Sequence, residues 1–158
     1  VKEKSISSIS AALLSKDIIF DFATDFYYDN EKIASPVNFK LTDSVYKSFI
    51  EFALNNSFEY STGSEKILER LKKVAKEEQY YIGAEEEFEA LVKSLSPDKD
   101  RDLIKFKDEI KMLLENEIIG RYYFQEGQMT HDLAKDDYVL KAIEILNNKS
   151  EYNKLLKP

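Results

Sequence analysis

The chain has no cysteine, no tryptophan, one histidine, three prolines and four glycines in 158 residues. Without cysteine there is neither a disulfide framework nor a thiolate metal site, and redox chemistry says nothing of the compartment. A lone histidine leaves zinc without its usual nitrogen donors, so no metal site and no cofactor is expected. So few glycines and prolines mark few turns, and alternating strand patterns are scarce. The expected class is therefore all-α, an irregular multi-helix domain. No apolar run approaches the roughly 20 residues that span a bilayer. A basic surface is lacking too. With 30 acidic against 23 basic residues the formal net charge is −7, which argues against nucleic acid, whose affinity draws on cations facing phosphates. The opening "VKEKSISS" has neither an initiating Met nor the apolar core of a signal peptide, so the chain reads as cut from something longer.

What is present suits a core. Hydrophobic residues make up 43% of the chain, and a domain of this length buries about 68–70% of its unfolded surface. One domain over residues 1–158 is expected, with an internal break near 96–97. "SISSISAALLSKDIIFDFATDFYYDN" puts Ile9, Ala12, Leu13, Phe20, Ala23 and Tyr27 on one helical face, with Ser5, Ser7 or Ser8 as its cap. "LTDSVYKSFIEFAL" starts a helix behind Thr42, with Val45, Phe49 and Phe52 as its stripe. "NNSFEYSTGS" reads as a loop pinned by Phe58 and Tyr60. Ser64 is then expected to cap a helix carrying Ile67, Leu68, Leu71, Val74 and Ala75. "AEEEFEALVKSL" continues with Phe88, Leu91, Val92 and Leu95. Ser96 and Pro97 mark a boundary, since Pro is favoured at the first helical position behind a Ser cap.

From Asp98 the pattern predicts one long helix to about Glu126, followed by two short ones in "DDYVLKAIEILNN" and "SEYNKLL". Leu103, Phe106, Ile110, Leu114, Ile118 and Tyr122 recur every three or four residues in it. Its end, "EIIGRYYFQEGQ", is the one segment whose residues invite a site: Gly120, Arg121, Tyr122 and Tyr123. Glu117 lies four residues before Arg121, a favourable ion-pair order. Gly127 is placed to take a left-handed cap. Gly120 costs roughly 1 kcal/mol relative to Ala in a helix, so it is read as a notch for a close-packed neighbour. Helical spacing accounts for most of the cluster as packing, and its single Arg lacks the basic groove that base-stacking platforms need.

Other patterns carry less. "DKDRDLIKFKDE" sets Asp98, Asp100, Asp102 and Glu109 at the spacing of a calcium loop, but Leu103 stands where the turn requires Gly. The glutamates of "EEEFE" sit together on a solvated helix, without the burial that would make one a general acid. Nothing orients His131 for a triad. No Ser lies in a Gly-rich turn that would activate it.

Five stretches, "SISAALLSKDIIFDFATDFYYDN", "FKLTDSVYKSFIEF", "FEYSTGSEKILERLKKVAKEEQYY", "FKDEIKMLLENEIIGRYYFQEGQ" and "DDYVLKAIEILNNKSEYNKLL", follow in order over nearly the whole chain. Together they resemble the helical C-terminal region of bacterial carboxy-terminal processing (tail-specific) serine peptidases. The run from Asp108 to Tyr123 with Gln125–Gly127 is the most specific part. The resemblance implies a parent in which a PDZ module and a Ser/Lys peptidase core precede this region, with Val1 falling just after the core. It implies export to the periplasm or cell envelope, and no catalytic residue in this segment. The expected partners are the peptidase core and PDZ module of the same parent, or a second copy in a homo-oligomer. The other reading is a free-standing helical adaptor that binds proteins.

Overall fold

The computed structural model describes residues 6–156. Among them are nine α-helices and no strand: α1 Ser8–Ser15, α2 Ile18–Asp29, α3 Asp43–Asn55, α4 Gly63–Glu77, α5 Glu85–Leu95, α6 Lys99–Lys105, α7 Lys107–Lys135, α8 Asp137–Asn147 and α9 Lys149–Leu156. The all-α expectation holds. The chain falls into two compact units, one formed by the residues up to Ile18 with Tyr46–Ile110, the other by Ile19–Val45 with Lys111 onward. The Ser96–Pro97 junction lies inside the first.

In the first unit Ser7 caps α1, its hydroxyl accepting from the Ser10 N–H at 3.3 Å. Ser8 is already helical, and Ser5 lies outside the described residues. The helix expected to run on through Tyr27 stops at Lys16, because Asp17 takes φ 57°, a left-handed conformation that Asp tolerates better than most residues. The break resets the helical phase. Ile18, Ile19 and Phe22 are buried along with Ala23, whereas Phe20 and Tyr27 are 55% and 42% exposed.

The α4 cap is Thr62 rather than Ser64, its hydroxyl accepting from the Glu65 N–H at 3.1 Å. Likewise α6 is capped by Asp98, which accepts from the Arg101 N–H at 2.8 Å, not by Ser96. A carboxylate in that place also complements the helix dipole. Phe58 is buried and stacks on Tyr60, so the loop before α4 is pinned as its sequence suggests. The core takes Ile9, Leu13, Phe49, Phe58, Leu68, Phe88, Leu103 and Ile110. On α3 the buried face is Tyr46, Phe49 and Ala53, with Val45 and Phe52 only half-buried. Tyr46 is buried because its hydroxyl donates to the Leu103 carbonyl at 2.6 Å, one of the carbonyls left unpaired where α6 ends.

The second unit turns on α7. The long helix is there, but it begins at Lys107, and at Phe124 the backbone (φ 55°, ψ −160°) leaves the helical region and reverses. Two arms, 107–123 and 125–135, double back on each other. The Asn116 amide reaches both carboxylate oxygens of Asp132 at 3.1 Å. The Gln128 amide donates to the Asn116 side chain at 3.0 Å and to its carbonyl at 3.1 Å. On a straight helix, residues 116 and 132 would stand about 24 Å apart.

Gly127 is thus not a left-handed cap, since no glycine has positive φ. It sits inside the return arm, where an added Cβ would meet the Tyr123 Cβ at 2.2 Å and Ile119 at 3.2 Å. Only a glycine allows the arms to come this close at the bend. Gly120 faces the same arm, and its added Cβ would meet the Gln128 amide nitrogen at 2.7 Å.

The two glycines should therefore behave differently. Gly127→Ala is expected to destabilise by roughly 2–3 kcal/mol, because the obstructing atom is a Cβ that cannot swing aside. Gly120→Ala, which only displaces the end of a glutamine, should stay within about 1 kcal/mol, and Gly120→Leu should cost roughly 1–3 kcal/mol. Denaturant melts measure all three. Phe124→Gly is expected to stabilise by about 1 kcal/mol, because that backbone region suits glycine alone and the ring is 76% exposed.

Candidate functional site

The residues singled out in "GRYYF" do meet other parts of the second unit. Arg121 donates to Glu117 (carboxylate 2.8 Å, carbonyl 2.9 Å), to the Phe20 carbonyl at 2.7 Å and to the Thr24 hydroxyl at 2.8 Å. Its guanidinium lies 4.5 Å from the Phe20 ring centre. The Tyr122 hydroxyl donates to the Asn30 carbonyl at 2.5 Å, and its ring meets Tyr27 edge-on at 4.9 Å. Tyr123 reaches the Ile33 carbonyl at 3.4 Å. Apart from the Arg121 bonds to Glu117 on α7 itself, the cluster's donors are thus turned onto α2 and the segment after it.

That segment, residues 30–42, is a strap across the α7 hairpin, and its far half is held by residues that sequence reasoning passed over. Glu115 is buried and accepts from the Leu41 N–H at 2.7 Å through one oxygen and from Lys135 at 2.5 Å through the other. His131 is fully buried, a placement that nothing in its sequence context suggested. Its Nδ1 lies 2.6 Å from the Pro36 carbonyl, so it carries the proton and donates. Its Nε2 then accepts from the Lys135 ammonium at 2.8 Å, with Glu115 3.4 Å away. No periodicity signals this group, because the reversal at Phe124 is what brings 115, 131 and 135 together.

The first unit holds a polar cleft of about 540 Å³, lined among others by Ser7, Tyr60, Arg101, Asp102, Lys105 and Glu109. Both carboxylates are already engaged. Asp102 accepts from the Tyr60 hydroxyl at 2.7 Å and from Arg101 at 3.0 Å. Burial and the Asp102 bond push the Tyr60 phenol well above its usual range. Glu109 takes the Ser7 N–H at 2.9 Å and hydroxyl at 2.7 Å. Of the calcium-like set, Asp98 caps α6 and Asp102 is buried on Tyr60 and Arg101. No group of three or more potential metal ligands stands together among the described residues.

The remaining feature is apolar surface without a partner. On α4, Ile67 and Leu71 are 70% and 51% exposed, and on α8, Ile143 and Leu146 are 49% and 63% exposed. Helix α8 buries none of its residues. No helix among the described residues is long and apolar enough to cross a membrane.

Among the described residues the regular structure is helical throughout. The model of the C-terminal helical domain of a probable PDZ-protease matches residues 9–146, and the chain belongs to that family. The resemblance read from the sequence holds at that level. No curated protein and no solved structure gives a significant match.

The acid behaviour of the cleft is testable. Burial opposes the Glu109 charge, but the hydroxyls of Ser10 and Ser7 and the Ser7 N–H outweigh it, so its pKa lies below the ordinary glutamate value. A carboxylate depressed by folding stabilises at pH above its unfolded pKa and loses that contribution as pH falls through the folded one. The difference in Tm between the parent chain and Glu109→Gln should be full near pH 6 and shrink as pH falls below about 4.

Proposed function

We propose that this domain is a non-catalytic docking and architectural module of an exported carboxy-terminal processing serine endopeptidase. Its partners are the peptidase core and PDZ module of the same parent, in the periplasm or cell envelope, and assembly with a second copy is the other use of the same surface. The observation that carries the reading is the exposed apolar side chains of α4 in the first unit and, separately, of α8 in the second. Covering a side chain such as Ile67 or Leu71 contributes about 1.5–3 kcal/mol, and a helix that buries nothing of its own gains most from a partner. The Arg121–Tyr123 cluster and Gly120 serve this role indirectly, as packing that sets α2 and the strap on the α7 hairpin.

The reading frame extended upstream is expected to encode a PDZ module and a Ser/Lys peptidase core. Expressed separately, that part and this chain should co-elute, and Ile67→Glu with Leu71→Glu should weaken the association at least about tenfold. The chain alone should hydrolyse neither unfolded protein nor C-terminally tagged peptides. An upstream frame without a peptidase, or cleavage by the purified chain that is lost on mutating one of its own serines or lysines, contradicts the proposal.

A further inference from the structure

We propose that His131 is a proton-operated latch: a second proton on its Nε2 expels Lys135 from the Glu115 carboxylate and frees the junction of α7 with α8. The hydrogen-bond roles carry the inference. The Pro36 carbonyl can only accept, so the Nδ1 that lies 2.6 Å from it holds a proton. The Lys135 ammonium can only donate, so the Nε2 at 2.8 Å must be bare. The buried ring is therefore neutral for as long as Lys135 is in place, and the group of Glu115, Lys135 and His131 carries no net charge.

A proton arriving from solvent at Nε2 would set two donors face to face at 2.8 Å. One of them has to leave. His131 is fully buried and fixed by Pro36, whereas the Lys135 side chain is 38% exposed and has open solvent to move into. Glu115, already 3.4 Å from Nε2, then accepts the new N–H in place of the ammonium. The one bond formed is Nε2–H, its proton supplied by solvent, and the carboxylate keeps one cation throughout.

The charged groups that reach the ring are Glu115 on the first arm and Lys135 on the return arm. The strap presents the Pro36 carbonyl, and Asp132 is turned to Asn116. Lys135 is the last residue of α7, and Asp136 next to it caps α8 through the N–H groups of Tyr138 and Val139. Loss of the Lys135 anchor thus loosens the point from which α8 is held. The proton exchange stands independently of the docking role. Only its consequence, an α8 face presented differently in acid, rests on that role.

The test uses the whole chain, with ring nitrogen NMR of His131 and amide exchange over residues 133–147 between about pH 7.5 and 5. At the upper pH the Nδ1–H tautomer is expected. As pH falls, Nε2 should take up a proton while the chain is still folded. Exchange over 133–147, corrected for intrinsic rates, should then rise at least about fivefold over that of the α7 core. Lys135→Met, which keeps the stem and removes the ammonium, should show the faster exchange at both pH values. His131→Gln should show no pH-dependent change there. A ring that stays neutral until global unfolding, or Lys135→Met exchange that matches the parent at pH 7.5, overturns the latch. Failure of co-elution with the peptidase part would bear on docking alone and leave these readouts untouched.

Discussion

At Phe124 the backbone leaves the helical basin for one residue, at φ 55° and ψ −160°, and the second unit is arranged around that excursion. Once the helix has turned back, its arms must approach closely, and the side chains facing across the gap must be matched. Gly127 supplies the closeness, since any Cβ there would run into Tyr123. Asn116, Gln128 and Asp132 supply polar matching near the bend, and Glu115 with Lys135 supplies it further down. A buried carboxylate left unpaired costs several kcal/mol. Glu115 avoids that by taking the Leu41 N–H as well as the ammonium. The strap is therefore held to the hairpin by a group that could not be buried without it.

That economy bears on function. Several polar side chains of the α7 hairpin and of the first-unit cleft bond to the domain itself: Arg121 on α2, Tyr122 and Tyr123 on strap carbonyls, Asp102 and Glu109 on their own donors. Large apolar side chains stay exposed on α4 and α8, as they do on other elements. An exposed apolar face gains free energy from being covered. The family to which the chain belongs, the C-terminal helical domain of probable PDZ-proteases, places such a surface in a protein with other domains for it to meet.

The helical class was legible from composition and periodicity, and most helix positions were close. The boundaries that moved did so for local chemical reasons. Thr62 and Asp98 out-compete the serines expected as caps, and Asp17 and Phe124 break helices with backbone angles that no apolar spacing encodes. Gly120, read as a notch for a close-packed neighbour, meets only the Gln128 side chain on the return arm. The Glu115–His131–Lys135 group could not be read at all. Its members are 16 and 4 residues apart along what looked like the end of one helix and a loop, and only the reversal brings them into contact. The one hint available was the pairing of Gly127 with "YYF", a glycine just after bulky residues where a helix was expected to stop.

The reversal itself can be measured. The chain has no cysteine, so spin labels placed by Met112→Cys and Asp132→Cys report on the two arms without background. Both residues line one surface pocket beside the hairpin. Arms packed with axes about 8–10 Å apart should hold the labels within about 20 Å in a single population. A distance near 30 Å, the span of 20 residues at about 1.5 Å each along an unbroken helix, would contradict the hairpin and the strap, and the His131 latch would fall with them.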